Sequence, residues 1–239
     1  MKSKNLIVIP VHDQTEILKK NLPLLEDLCQ GDESKLYDLL IVDDGSADSI
    51  DELLGDNQWI KCVSHEEKIG FGGSFITAYQ FARDFEYEIM ILLDPDNDEF
   101  IHDVAPMMDN LKYGYDIVTC SRILENYNYS KFQERYVEFT AEISNALKDV
   151  TDDNLTDPLS GIKAFYVKSL ENMDLTEFSH GILLQLWVQS SYFGLNSIEI
   201  PSASGESFGR ELELEEDLLE VYLAVLETER HLYKKSPLN

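Results

Sequence analysis

The residues best suited to chemistry are carboxylates in a short run. Asp94, Asp96 and Asp98 stand at i, i+2 and i+4 in Asp94-Pro95-Asp96-Asn97-Asp98, directly after the apolar stretch Ile89-Met90-Ile91-Leu92-Leu93. Carboxylates this close raise one another's pKa unless a positive charge sits among them. Oxygen donors at this density suit Mg²⁺ or Mn²⁺, with phosphate oxygens and water completing the shell. A solvated acidic turn is the plainer alternative. The position at the end of an apolar strand favours the metal.

The same alternation opens a calcium-binding EF-hand loop. Here the Gly and the closing Glu are missing at the required offsets, and that reading is rejected. A second acidic pair follows another apolar run, in Asp43-Asp44-Gly45-Ser46-Ala47-Asp48. A tight turn feeding a helix capped by Ser46 or Asp48 needs one carboxylate at most. Two adjacent carboxylates at a strand end favour a ligand contact. Between the acidic groups, Gly70-Phe71-Gly72-Gly73 opens a helix. Such a start can cradle a phosphate, and close backbone packing explains it equally well. It is neither the dinucleotide fingerprint nor a P-loop, which excludes P-loop ATPase chemistry. His12, at a strand end, is the histidine placed to touch a ligand. His65, His102, His180 and His231 show no metal spacing and read as surface or structural residues. Cys29, Cys62 and Cys120 form no CxxC pair, which argues against a disulfide framework or zinc.

Positioning these groups requires strands with a shared carboxyl edge. Apolar runs at Leu6–Ile9, Leu39–Val42, Trp59–Val63, Ile89–Leu93 and Ile117–Thr119 read as buried strands, the first stopped by Pro10. Helical patterns lie between them: Thr15–Leu28, which Pro23 must kink or divide, then Ser74–Phe85 and Asp103–Lys112. Fully apolar strands alternating with helices predict a mostly parallel α/β sheet covered on both faces. Ligands bind such sheets at the carboxyl ends of the strands. Further on, Phe132–Lys148 and Ile182–Tyr192 read as helices, Ile162–Val167 and Ser197–Ile200 as strands, and 202–210 as a Ser/Gly-rich loop. An amphipathic helix from Leu212 to Tyr233 closes the chain; packing on the sheet is its first expected role and dimerisation its second. The 46 acidic against 19 basic residues give a formal charge of −27, which repels nucleic acid and anionic lipid. No apolar stretch nears the ~20 residues of a membrane span, and the run after Met1 is too short for a signal-peptide core. A soluble, cytoplasmic protein with at most peripheral membrane contact is expected.

Taken together, several segments resemble the family 2 glycosyltransferases, and more narrowly the dolichol-phosphate or polyprenyl-phosphate mannose or glucose synthases. These are Ile9-Pro10-Val11-His12-Asp13-Gln14, Val42-Asp43-Asp44-Gly45-Ser46, Glu67–Gly73, Asp94-Pro95-Asp96, Asp116–Arg122, Thr156–Ala164 and Glu199-Ile200-Pro201. They occur in the family's order from about Leu6 to Arg210. The resemblance implies a single GT-A domain over 1–239: a nucleotide-binding half at 1–122, an acceptor half at 123–210 and a terminal helix at 211–239. It implies that Pro10, His12, Gln14, Val42 and Asp44 line the base and ribose pocket. Gly72, Asp94, Pro95 and Arg210 would complete the nucleotide contacts. Asp94 and Asp96, with Asp98 as a third ligand, would hold Mg²⁺ or Mn²⁺ against the diphosphate. Arg122 would reach the phosphates or the acceptor, and Asp157 would be the base if the acceptor is a hydroxyl.

The activity so implied is inverting transfer of a hexose from a nucleoside diphosphate to a polyprenyl or dolichyl phosphate. Transfer to a saccharide hydroxyl, as in surface-polysaccharide synthesis, is the alternative within enzymes. A non-catalytic nucleotide-sugar-binding domain is the alternative outside them. A homodimer through the terminal helix belongs to the same set of expectations.

Overall fold

The computed structural model describes residues 4–31, 37–48, 50, 54, 55, 57, 59–94, 100–124, 131–203 and 218–233. The expected strands form β1 (Asn5–Val11), β2 (Tyr37–Asp43), β3 (Ile60–Ser64), β4 (Ile89–Leu92), β5 (Ile117–Ser121), β6 (Lys163–Tyr166) and β7 (Ser197–Pro201). They make one seven-stranded sheet in the order β3-β2-β1-β4-β6-β5-β7. Every pairing is parallel except those of β6, which runs antiparallel to both β4 and β5. The parallel expectation therefore holds with one reversed strand. Apolarity marks a strand as buried on both faces but not its direction.

Alternate residues along each strand feed opposite cores. Leu6, Val8, Leu40, Val42, Met90 and Leu92 pack with Phe75, Ala78, Ala82 and Trp187 on one face. Ile7, Ile9, Leu39, Ile41 and Ile91 pack with Leu18, Leu25, Met107 and Leu111 on the other. The first face is covered by helices α2 (Phe71–Asp84), α4 (Lys131–Thr151) and α5 (Ile182–Phe193). The second is covered by α1 (Thr15–Gln30) and α3 (Val104–Lys112).

Two prolines behave differently from their sequence reading. β1 runs on through Pro10 because its pairing with β4 ends at Val8, leaving only β2 beside the proline. α1 is not divided at Pro23. Pro23 lies on the exposed side, while Leu18, Asn21, Leu25 and Cys29 bury one continuous face across it. That burial offsets the hydrogen bond the proline removes.

The terminal helix α6 (Leu218–Leu232) packs on α4 and α5 rather than directly on the sheet. Tyr222 meets Phe139 with ring centroids 6.0 Å apart. Residues 211–217 of the expected helix, 204–210 of the expected loop and the tyrosine-rich stretch at 126–130 lie outside the described residues. Among the described residues no helix is long and apolar enough to cross a membrane.

Candidate active site at the carboxyl edge of the sheet

Because β1, β2, β4 and β5 are parallel, the segments after them meet at one edge, and β6 begins at that same edge. The Asp43–Asp44 pair stands there and both side chains are buried. Asp44 accepts hydrogen bonds from the N–H groups of Ile69 at 2.9 Å and Gly70 at 2.8 Å. His65 Nδ1 lies 2.9 Å from the same carboxylate, and its Nε2 lies 2.9 Å from Thr77 Oγ1. Burial pushes the Asp44 pKa up, but these hydrogen bonds outweigh it and hold the group below the ordinary carboxylate range. His12 Nδ1 donates to the Asp44 carbonyl at 2.8 Å. Asp43 accepts from Ser46 N–H, and Gly45 takes φ +68° against the Glu67 backbone. Asp44 thus fastens the 65–70 segment to the end of β2, a role that one apolar run and two carboxylates did not reveal.

The Gly-rich start of α2 is closed by protein. Gly72 and Gly73 donate their N–H groups to the Phe178 carbonyl at 2.8 and 3.3 Å. A Cβ on Gly72 would fall 2.1 Å from the Glu177 carbonyl oxygen. Of the two alternatives for this motif, close backbone approach describes Gly72, whose N–H is spent on Phe178 and not held open for a phosphate. Phe71 stacks on His180, with ring centroids 4.6 Å apart and planes 5° from parallel. His180 is exposed as a residue, and the protein packed around its ring, with the Arg122 and Lys68 charges, pushes its pKa down.

The strongest constellation centres on Arg122, one residue past β5. Its Nε donates to Asp157 Oδ2 at 2.8 Å and its Nη2 to Asp157 Oδ1 at 3.0 Å. Nη2 also donates to Tyr136 Oη, which in turn donates to Asp157 Oδ1 at 3.2 Å. The Asp157 side chain is wholly buried and Arg122 retains 15% exposure. For Asp157, burial pushes the pKa up, but the Arg122 charge and hydrogen bonds win and lower it. For Arg122, burial is opposed by Asp157, and the guanidinium is held more firmly protonated. The Asp94 charge also acts on Arg122. These contacts bear on the expectation of Asp157 as a base for a hydroxyl acceptor. A buried carboxylate bound side-on to a guanidinium, with its pKa lowered, is a poor proton acceptor.

Three more residues hold this cluster. Glu199 of β7 accepts from Thr156 N–H and Oγ1 and from Asp157 N–H at 2.8–3.0 Å. Trp187 Nε1 donates to the Pro158 carbonyl at 3.0 Å. Lys163 at the start of β6 is wholly buried; it donates to Thr119 Oγ1 at 2.9 Å and to the Ser160 carbonyl, under the Trp187 ring. Burial lowers its pKa to about 7 against the opposing pull of Asp157. Tyr136 and Trp187 carried no signal in the sequence, because a tyrosine or tryptophan in an amphipathic helix reads as core; Lys163 lay in a segment that resembles the family, but without a role.

The remaining expected site residues fall as follows. Pro10 ends half-buried in β1, and the Gln14 carbonyl begins α1 by accepting Leu18 N–H. Val42 is wholly buried in the core beneath α2. Asp94 is half-buried just past β4. Pro95, Asp96, Asp98 and Arg210 lie outside the described residues. Among the described residues no three metal-binding side chains gather. Asp94 itself is a hard oxygen donor at the carboxyl edge of the sheet, and that chemistry fits a Mg²⁺ or Mn²⁺ ion. Burial pushes the Cys29 thiol up to about 12, as expected of an inert buried cysteine.

Comparison with known proteins follows from this geometry. The family model described as glycosyl transferase family 2 matches residues 6–173. No curated protein matches significantly. Glucosyl-3-phosphoglycerate synthase from Mycobacterium tuberculosis, solved with Mn²⁺, UDP and phosphoglyceric acid, superposes with a TM-score of 0.71 at 17% identity, over 95% of this chain and 78% of its own. Mannosyl-3-phosphoglycerate synthase from Rubrobacter xylanophilus gives 0.66 at 13% identity, over 98% and 77%. Mannosyltransferase PcManGT from Pyrobaculum calidifontis, solved with GDP-Man and Mn²⁺, gives 0.55 at 16% identity over 85% of this chain. The chain spans only 56% of that protein's length. At these identities the likeness is one of fold.

Proposed function

The chain belongs to glycosyl transferase family 2, and from that premise we propose that it moves a hexose from a nucleoside-diphosphate-sugar to a phosphate-bearing acceptor, foremost a polyprenyl phosphate, with inversion. The observation that carries this reading is the Arg122–Asp157 pair, a cation fixed at the carboxyl edge within electrostatic reach of Asp94. A fixed charge in a partly desolvated site stabilises developing negative charge without reorganising. Arg122 would orient the phosphates of donor or acceptor. Asp94, Asp96 and Asp98 would hold Mg²⁺ or Mn²⁺, which supplies Lewis-acid stabilisation of the departing nucleoside diphosphate. Pro10, His12 and Gln14 would border the base and ribose, with Val42, Asp44 and Gly72 shaping that pocket from behind. Pro95 and Arg210 would complete the contacts to the diphosphate.

An acceptor phosphate is ionised at neutral pH and attacks without a general base. That agrees with an Asp157 already committed to Arg122. A second reading is supported by the two phosphoglycerate synthases of similar fold: attack by a hydroxyl of a small phosphorylated acid, with the same cation holding the acceptor's charge.

The deciding experiment supplies UDP-, GDP- and dTDP-hexoses with Mn²⁺ and either a short polyprenyl phosphate or 3-phosphoglycerate, and reads products by mass spectrometry. A hexosyl polyprenyl phosphate, lost with EDTA, supports the first reading. A hexosyl phosphoglycerate supports the second. Neither product nor donor hydrolysis with any combination leaves a non-catalytic binding domain.

A further inference from the structure

A buried carboxylate on α6, outside the segment matched by the family, is wired to the loop that carries His180. Glu229 is 1% exposed, and Gln185 and Gln189 of α5 are 7% and 0% exposed. Gln185 Nε2 donates to Glu229 Oε1 at 2.8 Å, and Gln189 Nε2 donates to Oε2 at 3.0 Å. A carboxylate offers acceptors only, so both amide nitrogens turn towards it; each also reaches the loop, Gln189 Nε2 donating to the Asp174 carbonyl at 2.9 Å and Gln185 Nε2 to Thr176 Oγ1 at 3.3 Å. Both amide oxygens must then turn towards the loop before α5. There Gln185 Oε1 accepts from Thr176 N–H at 2.9 Å and Glu177 N–H at 2.8 Å. Gln189 Oε1 accepts from Asp174 N–H at 2.7 Å. Glu177 in turn accepts from Ser179 N–H, and the Phe178 carbonyl caps the Gly-rich start of α2. Two residues after Phe178 comes His180, stacked on Phe71. Gly181 leaves no slack, since a Cβ there would lie 3.1 Å from Val225 of α6.

We propose that Glu229 is a positioning residue: by dictating the orientation of the Gln185 and Gln189 amides, it fixes the 174–180 loop, and with it the Phe71–His180 face of the site. The terminal helix is then part of the transfer machinery and not an appendage. This rests on the transfer reading above for its kinetic consequence, but not for its structural one.

The test uses near-isosteric swaps in the full chain. Glu229→Gln keeps the volume but presents an amide nitrogen to one of the two glutamines, forcing that side chain to turn and abandon the loop. Gln185→Glu added to it restores the pattern. The new carboxylate at 185 accepts from the loop with one oxygen and from the new amide at 229 with the other. Two readouts are needed: hydrogen exchange of the amides at 174–177 without substrate, and steady-state kinetics at a temperature where all variants are folded.

We expect Glu229→Gln to speed exchange at those amides and to lower kcat/KM for the acceptor on the order of ten-fold, the scale of a misplaced contact, with donor KM unchanged. The double variant should return both values towards those of the original protein. Unchanged exchange in Glu229→Gln, or no restoration in the double variant, overturns the proposal. Faster exchange with unaltered kinetics also overturns it, leaving a purely structural network. If the original protein transfers to no acceptor, the transfer reading fails, and exchange still decides whether Glu229 orders the loop.

Discussion

Arg122 lies side-on to Asp157, with Nε to Oδ2 at 2.8 Å and Nη2 to Oδ1 at 3.0 Å. The pair joins the end of β5 to the loop before β6, the strand that runs antiparallel to both its neighbours. Both partners are largely withdrawn from water, so each depends on the other for its charge.

Asp157→Asn should therefore do more than weaken a contact. Removing one partner of a buried ion pair costs about 3–5 kcal/mol, because the other charge stays buried. Chemical denaturation should show that loss, and transfer should fall at least about 100-fold as the cation loses its position. Wild-type stability should also fall in acid. The folded pKa of Asp157 lies below its unfolded value, so its contribution is complete above the unfolded pKa and is lost as pH drops through the folded one. Asp157→Asn should flatten that acid limb in a pH series of denaturation midpoints.

Lys163 predicts a second limb of the same sign, on the alkaline side. Its folded pKa is lowered to about 7, so from there up to the ordinary lysine value the unfolded chain binds more protons. Stability from this group rises with pH across that window. Lys163→Met should reduce the rise in melting temperature between pH 7 and 10, as read by thermal scans in matched buffers.

Gly72→Ala should be poorly tolerated. A methyl 2.1 Å from the Glu177 carbonyl forces the 177–179 backbone away from α2, a strain of about 1–3 kcal/mol or more. Thermal scans read the destabilisation. The same shift should disturb the Phe71–His180 stack and raise acceptor KM. Gly161→Ala, whose Cβ would meet only the Phe71 ring at 3.8 Å, is the mild control.

The apolar runs displayed the strands and helices because burial on both faces leaves only that pattern. The direction of β6 was not legible, since Lys163-Ala164-Phe165-Tyr166 would read the same in either direction. The carboxylates stood out by type and by place at strand ends, and Arg122 by its place in a segment that resembles the family. Their contacts did not. Glu199 and Lys163 stood in segments that resemble the family, but no local spacing says that Glu199 of β7 and Tyr136 of α4 bond Asp157 or that the Lys163 charge of β6 lies near it. Asp44 showed its importance but not its role, which depends on backbone N–H groups 25 residues away at Ile69.

Nucleotide-sugar binding through the acidic run is the central claim, and thermal stabilisation tests it most directly. UDP-, GDP- and dTDP-sugars would each be added with Mn²⁺, Mg²⁺ or EDTA to the wild type and to Asp96→Ala. A ligand at a hundred times its Kd adds roughly 2.7 kcal/mol to the folded state. The account predicts a metal-dependent rise in melting temperature with one nucleotide class, lost in Asp96→Ala. No rise with any nucleotide, or an equal rise in EDTA and in Asp96→Ala, would contradict it.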